Sequence, residues 1–363
     1  EIADAIHRQI RSLDAYTVYG DFSNAPAVEL SERLAAHAPV ADPKVILTCG
    51  GGESIDTAAK LARRYWFAMG RPDKTHLISR TGGYHGLNGF GTSIIGMERF
   101  RTGFGELVQE TSVVPHGSAA AVEAEILRVG PERVAAFFAE PVIGAGGVFP
   151  PEQDYFTEIA RICRKYDVLF VVDSVICGFA RLGNWFGIER FGVDPDMIVF
   201  AKGVTSGYLP LGGVVVSSRI ADPFWNQEGN PFIHGTTYAG HPTCCAAAMA
   251  NMDILEREDL FTVALEVERH LDSAVRGLAD HPLVNEVRSG VGVMAAVELT
   301  EEALTERGIT TAEVFHEARA RGVILRPIPQ ALLISPPLII TWEQIDHLVS
   351  TLAAALDAVA ARH

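Results

Sequence analysis

Short apolar runs that alternate with helical segments are the feature that most constrains the fold of this chain. The apolar runs lie at residues 45–47, 76–78, 134–139, 168–172, 197–200 and 213–216. Their length and their richness in Val, Ile and Phe are typical of strands buried on both faces. Between the runs, residues 53–69 and 152–166 place apolar side chains along one helical stripe. Strands that alternate with helices predict an α/β fold with a mostly parallel sheet.

The pattern changes after about residue 250, where long amphipathic helices and short strands are predicted. The predicted elements there are helices at 251–280, 312–321 and 342–361 and strands at 292–299 and 323–326. A chain of 363 residues is long enough for about two domains. We therefore predict a large domain over residues 20–255 and a smaller C-terminal α/β domain over residues 256–363.

Net charge and cysteine spacing exclude several classes of function. The 30 Lys and Arg residues and 45 Asp and Glu residues give a formal charge of -15. A charge of this sign repels phosphate backbones and anionic lipid, so we predict neither a nucleic-acid nor a membrane partner. The start at Glu1 is polar, unlike a signal peptide. The five cysteines form no CxxC pair and no metal motif is visible, which predicts reduced thiols in a cytoplasmic protein without a metal site.

Polar residues and glycines stand at the ends of the predicted strands. Glu140, Asp173 and Lys202 each follow an apolar run, and glycines occupy positions 50–52 between a strand and a helix. Each feature alone is explained by a helix cap, a salt bridge, a solvated side chain or a tight turn. In an open α/β sheet, however, ligands bind beyond the carboxyl ends of the strands, where these residues would converge.

One cofactor, pyridoxal phosphate, needs this combination of a lysine, a carboxylate and a phosphate-binding backbone. We expect Lys202 to hold the aldehyde as a Schiff base, in a desolvated position that favours its neutral amine. We expect Asp173 to keep the pyridine nitrogen protonated. Gly51 and Gly52 would allow the phosphate to approach the N–H groups at the start of a helix.

Several segments of the chain, in order, match one family of such enzymes. The matching segments are residues 48–57 (TCGGGESIDT), 83–86 (GYHG), 140–148 (EPVIGAGGV), 172–179 (VDSVICGF), 201–203 (AKG) and 335–338 (SPPL). Over nearly its whole length the sequence thereby resembles the class III (subgroup II, omega) aminotransferases. The resemblance implies PLP fold type I (aspartate-aminotransferase-like), with a mostly parallel seven-stranded sheet in the large domain.

The resemblance also implies a cofactor site. Lys202 would carry the cofactor and move a proton between it and the substrate carbon, and Asp173 would bind the pyridine nitrogen. The other implied contacts are those of Gly51 and Gly52 with the phosphate, of Tyr84 and Val175 with the two ring faces, and of His85 in the Tyr-His-Gly element. Thr237 matches a threonine that reaches the phosphate of the neighbouring subunit. The implied assembly is a homodimer with shared active sites, or a tetramer.

Two positions bear on the substrate class that the resemblance implies. Ala145 stands where family members that use glutamate or ornithine often carry an acidic residue, and residues 332–334 lack the arginine that those members tend to carry. Arg326 matches a mobile arginine of the pyruvate-dependent amine and β-alanine transaminases, although a surface salt bridge would also explain it. Guanidinium grips a carboxylate through two parallel hydrogen bonds. The expected reaction moves an amino group from an omega-amine or β-amino acid to a keto acid, with pyruvate expected as acceptor and 2-oxoglutarate left open.

The sequence departs from the family pattern at several positions. Ser174 follows Asp173 where glutamate is usual, Leu182 replaces a threonine, and Gly52 stands where many members have serine. We expect the loss of a charge at Ser174 to tune the reaction differently. Family members also have several tens of residues ahead of the segment that matches Glu1, so we expect residues 1–19 and an apparently absent N-terminal segment to contribute to the small domain.

Two further hypotheses stay open at this point. The same scaffold supports amino-acid racemases and aminomutases, which Ser174 brings into consideration. A non-catalytic homologue that keeps the fold is the other alternative, although Lys202, Asp173 and Tyr84 are all retained.

Overall fold

The computed structural model describes residues 1–225 and 231–363. The strands are β1 (Lys44–Thr48), β2 (His76–Arg80), β3 (Thr111–Val114), β4 (Val134–Ala139), β5 (Leu169–Asp173), β6 (Met197–Phe200), β7 (Gly212–Val216), β8 (Val284–Arg288), β9 (Ala295–Leu299), β10 (Arg326–Pro327) and β11 (Ala331–Ile334). The α-helices are α1 (Ile2–Ser12), α2 (Ala25–His37), α3 (Gly51–Ala68), α4 (Gly89–Ile94), α5 (Ala119–Val129), α6 (Tyr155–Lys165), α7 (Ser218–Trp225), α8 (Pro242–Arg257), α9 (Leu260–Arg276), α10 (Thr311–Ala320) and α11 (Trp342–Ala360). Short 3-10 turns lie at Glu98–Phe100, Ile188–Phe191 and Lys202–Thr205.

The chain divides into two compact units. The larger unit comprises residues 1–141, 151–179 and 184–258, and the smaller comprises residues 142–150, 180–183 and 259–363. Residues 1–19 cluster with the larger unit, where α1 packs against α8. The domain limits of 20–255 and 256–363 remain a prediction, and the structure adds two short internal segments to the smaller unit.

The larger unit contains a mostly parallel seven-stranded sheet, which confirms the predicted fold class. Among the described residues its strand order is β1-β7-β6-β5-β4-β2-β3. Strands β2 to β6 pair in parallel, whereas β7 is antiparallel to both β6 and β1. Strands β1 and β6 consequently run in the same direction, on either side of β7. Strand β3 was missed by sequence analysis, because Thr111 and Ser112 interrupt its apolar pattern.

Helix α3 packs against this sheet through the stripe predicted from its sequence. Ile55, Ala59 and Ala62 are buried, and the indole nitrogen of Trp66 donates to the carbonyl oxygen of Ala135 over 2.9 Å. The predicted helix over residues 53–69 includes Met69 as its last apolar residue, and that part of the prediction was wrong. The helix ends at Ala68 and the Met69 side chain is exposed.

The smaller unit contains a four-stranded antiparallel sheet in the order β10-β11-β9-β8 among the described residues. Helices α10 and α9 both pack against α11. The prediction of a single helix over 251–280 was wrong, since α8 ends at Arg257 and α9 begins at Leu260. Asp259 separates them with φ 46°, a left-handed conformation that interrupts a right-handed helix.

Candidate active site

The predicted strand-end residues lie at one edge of the sheet in the larger unit. Strands β1, β4, β5 and β6 run in the same direction, so their carboxyl ends share that edge. Glu140 follows β4, Asp173 ends β5, and Lys202 begins a turn shortly after β6. Gly51 begins α3 after β1. The structure therefore brings these segments together as the strand pattern predicted.

Asp173 and His85 form a buried pair at this edge. The Nδ1 atom of His85 lies 2.8 Å from Oδ2 of Asp173, and the side chains are 1% and 3% exposed respectively. The other carboxylate oxygen, Oδ1, accepts from the backbone N–H of Val175 over 3.1 Å. These two contacts fix the carboxylate, while each oxygen keeps a second acceptor position. His85 contacts the carboxylate of Asp173, a role that its place beside Tyr84 in the sequence did not indicate.

The start of α3 has the properties of an anion site. Gly50 precedes the helix without a side-chain cap, so the first N–H groups are not satisfied by a neighbouring side chain. A Cβ atom at Gly51 would lie 3.1 Å from the side chain of Val175 and 3.5 Å from Ala201, next to Lys202. The helix N-terminus, the segment after Asp173 and the segment before Lys202 are therefore in contact.

The Tyr-His-Gly segment closes another side of the same region. A Cβ atom at Gly86 would lie 2.8 Å from the Cα atom of Gly52, and Gly86 has φ 79°, so only glycine fits there. The backbone N–H of Tyr84 donates to Oε1 of the buried Glu140 over 2.9 Å. Glu140, noted in the sequence as a strand-end carboxylate, thus holds the backbone of Tyr84.

Lys202 is exposed, and its backbone adopts φ 42° at the start of the 3-10 turn Lys202–Thr205. The expectation of a desolvated lysine was therefore wrong for this structure. Non-glycine residues seldom adopt positive φ, and such conformations cluster at active sites.

Ser174 is fully buried beside Asp173. Its hydroxyl donates to the carbonyl oxygen of Phe186 over 2.6 Å, and its backbone N–H donates to Val199 over 2.8 Å. The expected effect of Ser174 on the reaction rested on a missing charge beside Asp173. In the structure the Ser174 side chain is hydrogen-bonded to the backbone of the loop that contains Phe186.

Ala145 and Arg326 belong to the smaller unit. Ala145 is buried, between Ile143 and Phe149, which form an isolated β-bridge. Arg326 begins β10, is exposed, and has no ion-pair partner within residues 1–225 and 231–363. The surface salt bridge considered as an alternative for Arg326 is thus absent from the described part of the chain.

Thr237 is exposed on the wall of a cavity of about 720 Å³ in the larger unit. Its other lining residues are Ala15, Tyr16, Thr17, Tyr19, Cys49, Glu53, Gly235, Thr236, Tyr238 and His241. The part of this wall formed by residues 15–19 carries no recognisable motif and was not predicted from the sequence. Burial raises the pKa of the Cys49 thiol, which keeps it protonated and uncharged.

Two further features to consider in the described residues are metal-binding clusters and membrane-spanning helices. No cluster of three or more His, Cys, Asp or Glu side chains in that part of the chain could hold a metal ion. None of the helices described is long and apolar enough to cross a membrane.

The residues at the sheet edge fit pyridoxal phosphate. A fixed buried carboxylate with free acceptor positions suits a protonated ring nitrogen, and an uncapped helix N-terminus with glycines suits a phosphate. Together with a lysine at the end of a neighbouring strand, they define an α/β enzyme of the pyridoxal phosphate class.

Comparison with known proteins identifies the family. The family model for aminotransferase class-III matches residues 1–356. A putrescine–pyruvate aminotransferase of Pseudomonas aeruginosa is 40% identical, over 99% of this chain and 83% of that protein. A diaminobutyrate–2-oxoglutarate transaminase of Halomonas elongata is 36% identical, over 99% and 83%. A PLP-bound amine transaminase from an uncultivated Pseudomonas species superposes with a TM-score of 0.93 at 34% identity, covering 98% of this chain and 86% of that one.

This chain belongs to the class III aminotransferases. It is a pyridoxal phosphate-dependent transaminase that acts on small-molecule amines and keto acids, which confirms the predicted enzyme class and cofactor.

Proposed function

We propose that this transaminase moves an amino group from an omega-amine, a diamine or a β-amino acid to pyruvate. The main support for the residue roles in this proposal is the buried Asp173–His85 pair, which lies at the same sheet edge as Lys202. The pyruvate-dependent relative from Pseudomonas aeruginosa favours pyruvate as the acceptor.

Each residue has a distinct task in the proposed mechanism. When bound, pyridoxal phosphate supplies an aldehyde that accepts the amino group and a ring that withdraws electrons from the substrate carbon. Lys202 would attach to that aldehyde through Nζ and, once released by substrate, carry a proton to and from the substrate carbon. Asp173 would hold the proton on the pyridine nitrogen, and His85 orients the carboxylate for that contact.

The other residues that we expect to contact pyridoxal phosphate would hold its phosphate and its ring in position. The N–H groups of Gly51 and Gly52 would bind the phosphate, and the side chains of Tyr84 and Val175 would enclose the ring. We propose that Arg326 pairs with the carboxylate of pyruvate or a β-amino acid and moves aside for an uncharged amine. Its exposure and its freedom from ion pairs within the described residues support this role.

We also propose that the enzyme is a homodimer with shared active sites, or a tetramer of such dimers, in which Thr237 reaches the cofactor phosphate of the partner subunit. Exposed apolar side chains near Thr237 support an interface there, including Ile233 at 89% exposure and Tyr238 at 66%. A cytoplasmic location is proposed because all five cysteines are free.

The role of Lys202 is tested by Lys202→Ala, with Lys165→Ala as control. We expect Lys202→Ala to abolish turnover and the visible absorbance of the lysine-linked cofactor. Lys165 pairs with Glu123 on the surface, so its replacement should leave both unchanged. A Lys202→Ala enzyme of full activity would overturn the assignment.

The acceptor is tested by incubating the enzyme with putrescine, β-alanine or an arylalkylamine and either pyruvate or 2-oxoglutarate. Faster formation of alanine than of glutamate supports pyruvate, and the reverse contradicts it. In a separate incubation with an enantiopure amino acid, loss of optical activity without formation of alanine or glutamate would instead support a racemase.

A further inference from the structure

The turn that carries Lys202 is held in a conformation that its residues avoid. Lys202 has φ 42° and Ser206 has φ 49°, so non-glycine residues with positive φ stand at both ends of the turn Lys202–Thr205. The Cβ atom of an L-residue clashes with its own backbone in this region. Two backbone hydrogen bonds, from Val204 to Ala201 and from Ser206 to Gly203, span 3.2 Å each, the upper end of the usual range. Such a turn persists only where its surroundings hold it.

Asn251, on α8, holds the turn in place through hydrogen bonds from its side chain. The side chain is 3% exposed, and its Nδ2 atom donates to the carbonyl oxygens of Gly203 over 2.9 Å and Val204 over 3.1 Å. Its Oδ1 atom accepts from the hydroxyl of Ser206 over 2.8 Å. One primary amide therefore uses both donors and an acceptor on three residues of the same turn.

The opposite side of the turn is also packed. A Cβ atom at Gly203 would lie 2.9 Å from Cβ of Phe179, so the turn approaches that segment as closely as a glycine allows. The hydroxyl of Thr205 donates to the carbonyl oxygen of Leu209 over 2.6 Å and closes the exit of the turn. The backbone of Lys202 is thus confined between α8 and the segment at Phe179.

We propose that Asn251 is a positioning residue, which holds the strained turn so that the Lys202 side chain extends from a fixed backbone. This inference rests on the proposed role of Lys202 as the lysine that binds the cofactor. Without the amide of Asn251, the turn relaxes toward negative φ and the Cβ atom of Lys202 moves. The distance and surroundings of Nζ relative to the cofactor change with it.

The test compares Asn251→Asp, Ser206→Ala and the control Asp253→Asn in the full chain with cofactor added. Asn251→Asp keeps the shape but replaces the two N–H donors by an oxygen that faces two carbonyl oxygens. Asp253 lies on the same helix, is exposed and pairs with Arg33. The readouts are the pH midpoint of the visible absorbance of bound cofactor, the cofactor dissociation constant, kcat and KM, and the melting temperature without cofactor.

For Asn251→Asp we expect a shift of the absorbance midpoint by about one pH unit. We expect kcat to fall about 10- to 100-fold with a smaller change in KM, because misplacement of a reacting group affects the chemical step. Ser206→Ala, which removes one of the three hydrogen bonds, should shift both quantities less and in the same direction. This milder variant keeps the proposal testable if Asn251→Asp does not fold.

A lower melting temperature with unchanged midpoint and kcat in both variants would overturn the proposal, since Asn251 would then only stabilise the fold. That result would leave the role of Lys202 intact. Retained activity in Lys202→Ala would instead overturn the proposed function itself, so the two failures are distinguishable.

Discussion

Single residues in this enzyme differ in how firmly the fold holds them. Asp173 is fixed by a histidine and a backbone N–H in a buried environment. Arg326, by contrast, is exposed at the start of β10 and has no ion-pair partner in the described ranges 1–225 and 231–363. A group that holds the cofactor ring must stay in place through both half-reactions. A group that accepts a carboxylate in one half-reaction and an uncharged amine in the other must be able to move.

For Arg326→Ala we therefore expect the two half-reactions to respond differently. Loss of a charge-assisted bidentate pair should lower kcat/KM for pyruvate by about 10- to 100-fold. The half-reaction with an arylalkylamine, which has neither a carboxylate nor a second charged group, should change little. Stopped-flow measurement of each half-reaction checks this, with Arg319→Ala as an exposed control in the same unit. Equal losses in both half-reactions would contradict the role of Arg326.

At the level of elements, α3 joins Gly51 and Gly52, which are proposed to bind the phosphate, to the segment that carries Thr237. His234 lies near Thr237 in the sequence, and its Nε2 atom is 2.7 Å from Oγ1 of Thr57 while its Nδ1 atom is 3.0 Å from Nζ of Lys60. The Thr57 hydroxyl donates to the carbonyl oxygen of Glu53, so its oxygen accepts from Nε2–H. Nδ1 must then accept from Lys60, which requires a neutral ring.

The His234 contact predicts that the segment around residue 234 is held to α3 less firmly at acidic pH. Burial, reinforced by Lys60 and only partly opposed by Glu53, lowers the pKa of His234 below its usual value of 6.5. The unfolded chain consequently binds more protons than the folded one just below that value, and this contact loses stability as the pH falls through the lowered pKa. Protection of the amides of residues 232–238, measured relative to their intrinsic exchange rates at each pH, should therefore fall between pH 7 and pH 5.

His234→Gln, which keeps an N–H donor for Thr57 but does not titrate, should remove most of the acid-induced loss of protection. His347→Gln replaces an exposed histidine of the smaller unit and serves as control. An identical pH dependence in wild type and His234→Gln would show that another group controls this segment.

For the molecule as a whole, the proposed dimer makes each active site depend on two chains. Lys202 of one subunit and Thr237 of its partner would then serve the same cofactor. Lys202→Ala and Thr237→Ala subunits mixed in one preparation should form hybrid dimers in which one site carries both defects and the other carries neither. At a cofactor concentration too low to saturate Thr237→Ala, the activity of the mixture should exceed the summed activities of the same amounts of the two parent enzymes.

Subunit exchange after mild dissociation, followed by activity assay and mass measurement of the hybrids, checks this prediction. Thr237→Ala alone should weaken cofactor binding by about tenfold, the loss of one hydrogen bond to a charged group. Hybrids that show only the average of the parental activities would place Thr237 and Lys202 in the same subunit's site, or remove Thr237 from the site.

Local sequence patterns were sufficient to predict most strands of the larger sheet, the family and the cofactor. Apolar runs of suitable length predicted most strands of the larger sheet, and their polar or glycine ends predicted where Asp173, Lys202 and Gly51 would converge. These features depend on neighbours within a few residues, or on the rule that parallel strands share a carboxyl edge. The matched segments predicted the family and cofactor for the same reason, because each is a short contiguous motif.

The partners of these residues depended on the three-dimensional packing. His85 and Asp173 are 88 positions apart, and Asn251 is 48 positions from Gly203, separations over which no periodicity relates them. The hydroxyl of Ser174 likewise donates to Phe186, a residue 12 positions away. The type of chemistry is encoded in short motifs, whereas the groups that hold each reacting side chain in place come from distant segments that meet only in the folded chain.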